Sequence, residues 1–293
     1  MTAELSTDVI VGGRPGTAVG RTTFAALAAR ETRRFVLNPV FLFAVAILVY
    51  ALWAGPGTVT EIDTANPYPA IFLGGFGMMA TYWLTRSMRA SEPVAGVTPV
   101  TRPARTAALC AVAIVPFACG CLALLRFVQL IPVSSPLYGP FSPSARVAVL
   151  VGQIVMPALG GPLLGVALGR WVRFPGAAFV LFLLLYGWVS LVTILSFSHP
   201  DSTPVAVLRL FAPFAYFTYA GNAAGVTAWR GSPWFFIAWQ LALCAIAVLV
   251  ALLRGAEGRL RTRIIRALGI AGVAALIVLV LAATGGFTHA VTA

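Results

Sequence analysis

The chain has 293 residues, 60% of them apolar and 10% charged, where a soluble domain carries about 45–50% and about 25%. With a mean hydropathy of +0.94, this composition excludes disordered, collagen-like and disulfide-stapled chains and a water-soluble enzyme, and describes an all-α polytopic membrane protein. The net charge of +12 comes from 20 basic residues, every one an arginine, against 8 acids. So apolar a chain has no broad solvated face for nucleic acid, and without lysine it has no Schiff-base or phosphate-loop chemistry.

Residues 1–21 are polar and Gly/Thr-rich and read as a cytoplasmic tail rather than a signal peptide. Residues 22–37 read as an interfacial amphipathic helix on the inner leaflet. Phe24, Leu27, Ala28 and Phe35 share one face, Arg30, Arg33 and Arg34 occupy the flanks and back, and Glu31 falls within the apolar stripe. Residues 38–293 form a single transmembrane domain. Its hydrophobic runs lie near 38–55, 70–85, 106–125, 147–169, 174–197, 232–253 and 267–284, each measured against the ~20 residues that cross a bilayer. That predicts about six to seven transmembrane helices. The second run is short and rich in glycine (Gly74, Gly75, Gly77), and is expected to extend outward through Tyr68.

Arginine sets the orientation, because cytoplasmic loops collect it. With the N-terminus inside, 16 arginines fall on inner segments, and Arg126, Arg146, Arg209 and Arg230 fall outside. The outer segment 198–231 contains the apolar stretch 205–220, interrupted by Arg209 and Pro213, and reads as a re-entrant or interfacial hairpin.

All 8 acids lie outside these runs, which argues against proton or sodium coupling at mid-membrane. The two histidines, His199 and His289, lie in outer segments, leaving no metal ligand set and no general base within a span. No catalytic, metal or cofactor-binding residue is therefore assigned. Gly161, Gly165 and Gly169 share one helix face, which suits close helix packing within the chain or, less commonly, between subunits. Pro157 and Pro162 in that span can kink it. Arg209 is a possible contact for an anionic substrate or lipid, although such an arginine more often snorkels to the interface. Cys119 and Cys121 point to different faces and read as small packing residues, His199-Pro-Asp201 as a turn, and the tryptophans near span ends as interfacial anchors. The basic, Pro-punctuated inner segment 86–105 is either a solvated turn or a docking surface for a cytoplasmic partner.

The strings AARETRRFVLNPVFLFAVAILVYALW (28–53) and SEPVAGVTPVTRPARTAALCAVAIVPF (91–117) resemble the N-terminal half of actinobacterial ABC-2 type transporter permeases. That resemblance implies an exporter half with an elbow helix carrying Arg30, Glu31, Arg33 and Arg34. It also implies an ATPase-coupling loop carrying Arg86, Arg89, Glu92, Arg102 and Arg105, with short re-entrant helices at 198–231. ATP and Mg would sit on a separate ATPase subunit, since this chain has no Walker A sequence. A second permease subunit, identical or a sister, is implied, as are membrane lipids around the pair and a plasma-membrane location. The family norm is six spans, and the run at 267–284 exceeds it. Other readings are a non-transporting membrane anchor or assembly subunit, or a lipid-processing enzyme using His199 and Asp201.

Overall fold

The computed structural model describes residues 17–53, 69–90, 100–130, 142–198 and 232–284. It also describes three short strands and the isolated positions 204, 208 and 211. Among these residues there are eight helices. The first two are α1 (Thr17–Val36) and α2 (Pro39–Trp53). Next, α3 (70–90) opens as a π-helix, Ala70–Phe76, and continues as the α-helix Gly77–Ala90. Helix α4 (Arg102–Leu130) is interrupted at Val112 and Ala113, and α5 (Pro143–Trp171) carries a π-helical turn at Val151–Val155. The last three are α6 (Ala177–Ser198), α7 (Pro233–Leu253) and α8 (Gly258–Thr284).

Local chemistry sets several of these boundaries. Thr101 accepts a hydrogen bond from the Ala104 N–H and starts α4, and Ser142 accepts from the Ala145 N–H and starts α5. Asn38 caps α2, its Oδ1 accepting from the Val40 N–H at 3.0 Å, and Pro39 supplies a first-turn φ with no donor to satisfy. The chain bends by 62° between α1 and α2. The rings of Phe35 and Phe41, both buried, meet across the bend at 4.2 Å. In α5 the π turn ends where the Met156 N–H reaches back to Val151 O, immediately before Pro157, which has no N–H to continue the ladder.

Among the described residues four helices are long and apolar enough to cross a membrane: α4, α5, α7 and α8. The bent pair α1–α2 passes together as a fifth, and the apolar part of α6, Ala177–Val192, is shorter. The expected runs 106–125, 147–169 and 267–284 fall inside α4, α5 and α8, and the run 232–253 matches α7 to within one residue. Helix α3, containing the run 70–85, is not apolar enough by composition. Its α-helical part is nonetheless lined with buried residues, from Gly77 to Thr85. A helix enclosed by protein has no need of a lipid-soluble surface. The same logic orders the four spans. The least apolar, α5, has 72% of its most apolar stretch buried, whereas the most apolar, α8, has 11%.

Arg259, Arg261, Arg263 and Arg266, counted on an inner segment, stand on the first turns of α8, because arginine is a good helix former and nothing between Gly258 and Thr284 breaks the ladder. The chain also has a little sheet: β1 (Tyr219–Asn222), β2 (Gly225–Ala228) and β3 (Ala290–Thr292) are antiparallel in that order. Strands β1 and β2 lie at the end of the segment 198–231, and most of that segment, including nearly all of the stretch 205–220 expected as a hairpin, lies outside the described residues. Because β3 follows α8 and pairs with β2, which precedes α7, the two helices leave from and return to one end of the bundle. The Ser232 N–H donates to Ala282 O at 3.1 Å there.

Helix α5 is the hub, and one seam holds it to α3. A Cβ on Gly161 would overlap the Gly74 carbonyl, and one on Gly165 would overlap the Met78 carbonyl and the Thr81 hydroxyl. One on Gly169 would stand 2.7 Å from Thr85 Cβ. Across the seam, Gly77 faces the Pro162 ring, and the Thr81 hydroxyl donates to Pro162 O at 2.8 Å. The three glycines therefore bring two helices of this same chain to backbone contact.

Gly165→Val should destabilise the protein by about 3 kcal/mol or more, beyond ordinary overpacking, because the obstacle is backbone. Gly187→Ala, where a Cβ meets nothing within 4 Å, should be neutral or stabilising by up to ~1 kcal/mol. Thermal unfolding in detergent checks both, and equal loss in the two variants contradicts the seam.

Candidate functional site

The ends of α3 and α5, the starts of α4 and α8, and the α7–α8 turn meet at the end of the bundle opposite the sheet. Arginines gather there. Arg86 is exposed at the end of α3, and half-buried Arg89 donates to Arg170 O at 3.3 Å. Arg102 is exposed and Arg105 half-buried on the first turn of α4. Arg170 is 2% exposed, a setting in which a guanidinium persists only when hydrogen-bonded. A Cβ on Gly255 would lie 3.2 Å from Arg102 Cβ and 3.3 Å from Arg170 Nη2, so the α7–α8 turn rests directly on both.

Arg254 extends this arrangement. It donates to Trp171 O at 3.3 Å and lies over the Trp171 ring at 5.3 Å, while the indole N–H of Trp171 donates to Val250 O at 2.8 Å. The last carbonyls of a helix have no partner within it and carry its negative dipole end. Arg89 and Arg254 satisfy two of them on α5. The Tyr82 hydroxyl donates to Phe174 O, tying α3 to the turn that follows α5.

Helix α1 docks against this end. Glu31 is 5% exposed and pairs with Arg34 at 3.0 Å. Arg34 in turn donates to Ser87 Oγ at 3.3 Å, while Arg30 and Arg33 are exposed. The acid that interrupts the apolar stripe of α1 in the sequence is therefore on its protein-facing side, where Arg34 neutralises it.

The structure thus brings Arg86, Arg89, Arg102, Arg105, Glu31 and Arg34 to one end, and puts Gly161, Gly165 and Gly169 on the seam. Glu92, Arg209, His199 and Asp201 lie outside the described residues. Cys119 and Cys121 are half-buried free thiols. No three His, Cys, Asp or Glu side chains gather among the described residues. Sequence reasoning missed the buried polar set Thr81, Thr85, Gln153 and Gln240. Gln240 Nε2 donates to Gly152 O at 3.0 Å, inside the π turn of α5. A glutamine in the apolar run WQLALC was the available signal.

No family model, curated protein or solved structure matches this chain. The chain is a helical, multi-pass membrane protein, with four to five candidate spans among the described residues.

Glu31→Ala leaves Arg34, 38% exposed, free to turn to water, so the loss should be about 1 kcal/mol. Amide exchange in α1 should then rise about fivefold while exchange in α5 is unchanged. An unaltered α1 would show that the pair does not hold that helix.

Proposed function

We propose that the chain is the membrane-spanning permease subunit of an ATP-driven exporter of the ABC-2 type, worked by a separate ATPase that docks on 86–105. In this reading the N-terminus is cytoplasmic, α1 is the elbow helix, and α3 and α6 join the other spans to give seven crossings of the plasma membrane. ATP and Mg belong to the ATPase, and a second permease subunit, identical or related, completes the pathway.

The observation that carries the reading is the connection between 86–105 and the hub. The segment joins α3 to α4. Helix α3 is keyed to α5 through glycine-to-carbonyl contact, so a displacement at Arg86 or Arg89 moves α5 with it. Helix α4 is interrupted at Val112 and Ala113, so its first half can turn without carrying the second. A push on one short basic segment therefore has a rigid path into the bundle and a hinge beside it. The resemblance of 28–53 and 91–117 to ABC-2 permeases supports the same assignment. So does the absence of any acid from the apolar runs, since an ion-coupled carrier needs a mid-membrane ligand for its ion.

The double substitution Arg102→Glu/Arg105→Glu should weaken ATPase co-purification about tenfold or more, by opposing charge where complementarity is needed, and should abolish export. Arg261→Glu, on the exposed foot of α8, serves as the charge control and should leave both intact. Co-purification and export that survive the double substitution would remove 86–105 from the coupling role.

A further inference from the structure

Helices α5 and α7 are tied together by the Gln240–Gly152 and Trp171–Val250 hydrogen bonds but leave open space along part of the face between them. Between them is a half-open cleft of about 330 Å3, the size at which small-molecule sites begin. Met156, Gly160 and Ala167 line it from α5, and Leu243, Ala247 and Val250 from α7. Its surface is almost wholly carbon. The polar side chain at its far end, Gln240, turns its amide N–H onto Gly152 O. Both walls belong to helices long and apolar enough to cross a bilayer, so an apolar cleft between them is suited to open onto hydrocarbon.

The near end of the cleft is different. Val250 and Ala167 each stand four residues, one helical turn, before Arg254 and Trp171, and residues spaced by four share a helix face. The guanidinium–indole pair therefore sits on the same side of the two helices, directly beyond the cleft. Arg254 is exposed. Its bond to Trp171 O uses one of the five N–H donors a guanidinium carries, and its stacking on the ring fixes the plane in which the others point. Glu257, also exposed, lies three residues along the same turn, and Arg102 and Arg170 adjoin that turn at Gly255. The local balance is positive.

The dimensions agree with one molecule. From Arg254 to Gln240 is fourteen residues, about 21 Å of helix at 1.5 Å per residue. Half of a bilayer, headgroup included, is about 20–22 Å. With Arg254 at headgroup level, the cleft ends near the midplane.

We propose that this cleft binds one anionic phospholipid, an acyl chain lying between α5 and α7 and the phosphate held by Arg254 over Trp171. The chain replaces bulk lipid that would pack poorly in so narrow a space, and the phosphate meets the fork geometry that guanidinium offers. The site stands whether or not an ATPase works the chain.

The test uses the full chain in phosphatidylcholine nanodiscs doped with phosphatidylglycerol that carries a diazirine on one acyl chain. Adducts are mapped by mass spectrometry after illumination. Adducts on Met156, Leu243 and Ala247 should reach a plateau at low phosphatidylglycerol content, while those on exposed Ile270 and Ile277 of α8 rise in proportion. Unlabelled phosphatidylglycerol should displace the cleft adducts, and neither extra phosphatidylcholine nor inorganic phosphate should. Arg254→Gln should raise the half-saturating content about tenfold, the scale of one charge-assisted bond. Gly160→Leu, at a position where even a Cβ would lie 3.3 Å from Cys244 Sγ, should abolish the cleft adducts and spare those on α8. Should that variant fail to fold, Ala247→Leu fills the cleft from the other wall. The proposal is overturned by cleft adducts that never saturate, that phosphatidylcholine displaces equally, that inorganic phosphate removes, or that persist when the cleft is filled.

Discussion

Backbone contact between α3 and α5 is the constraint from which the rest of the bundle follows. In hydrocarbon there is no hydrophobic force between helices, because lipid tails are as apolar as leucine, and association rests on close packing and interhelical hydrogen bonds. Gly161, Gly165 and Gly169 remove side chains from one face of α5. The Thr81 hydroxyl then reaches across to Pro162 O, an interhelical hydrogen bond that the close approach permits. Once α3 is seated this way it is sealed from lipid, which explains a run of Thr81, Tyr82 and Thr85 where a lipid-facing helix would carry leucine. The inverse order of apolarity and burial among α4, α5, α7 and α8 has the same cause. Burial in protein relaxes the demand for an apolar surface, and exposure to lipid enforces it.

How much of this can be read from sequence depends on which physical signal each element emits. Hydropathy marks α4, α5, α7 and α8 well, since each faces lipid over part of its length. The spacing of four among the glycines indicates a packed face, although only the structure names Gly74, Met78 and Thr85 as what lies across it. Helix α3 is where the signal weakens, because a helix enclosed by protein has the composition of a soluble one. Glu31 gives a mixed signal for a related reason. It lies with Phe35 on the part of α1 that is buried in protein, and an acid is tolerated there because Arg34 lies one turn away. The pairing of β3 with β2 joins residues some sixty positions apart, which no local pattern encodes. The π turns at 70–76 and 151–155 are equally silent, apart from the proline that follows the second.

The arginine bias carries two meanings at once. A charge count treats Arg89 and Arg254 as loop charges that set orientation. In the fold they also complete the carbonyl end of α5, one through Arg170 O and the other through Trp171 O. This bears on why the chain uses arginine throughout and no lysine. An ammonium could neutralise a helix terminus, but it could not lie flat on the Trp171 ring while donating to the carbonyl beside it. Arg126 over the Trp53 ring at 5.3 Å repeats the stacking elsewhere in the fold. Residues that look like a topological tally are thus structural fasteners where helices end.

The two faces of α5 show why the bundle is tight on one side and open on the other. Both faces are rich in small residues: Gly161, Gly165 and Gly169 toward α3, and Gly160 and Ala167 toward α7. Small residues close a gap only when the partner also withdraws its side chains. Helix α3 does so with Gly74, Gly77 and the short threonines, and backbone meets backbone. Helix α7 instead presents Leu243, Ile246 and Val250, which with Gly160 and Ala167 border an open cleft although the two helices touch at Gly160 and Cys244. In a soluble core such a void would sacrifice dispersion contacts on every wall and would collapse or destabilise the fold. At the edge of a membrane bundle the surrounding hydrocarbon can enter and restore those contacts, so the mismatch persists without that penalty. The asymmetry between a sealed seam and an open cleft therefore follows from which neighbour matches the small residues of α5.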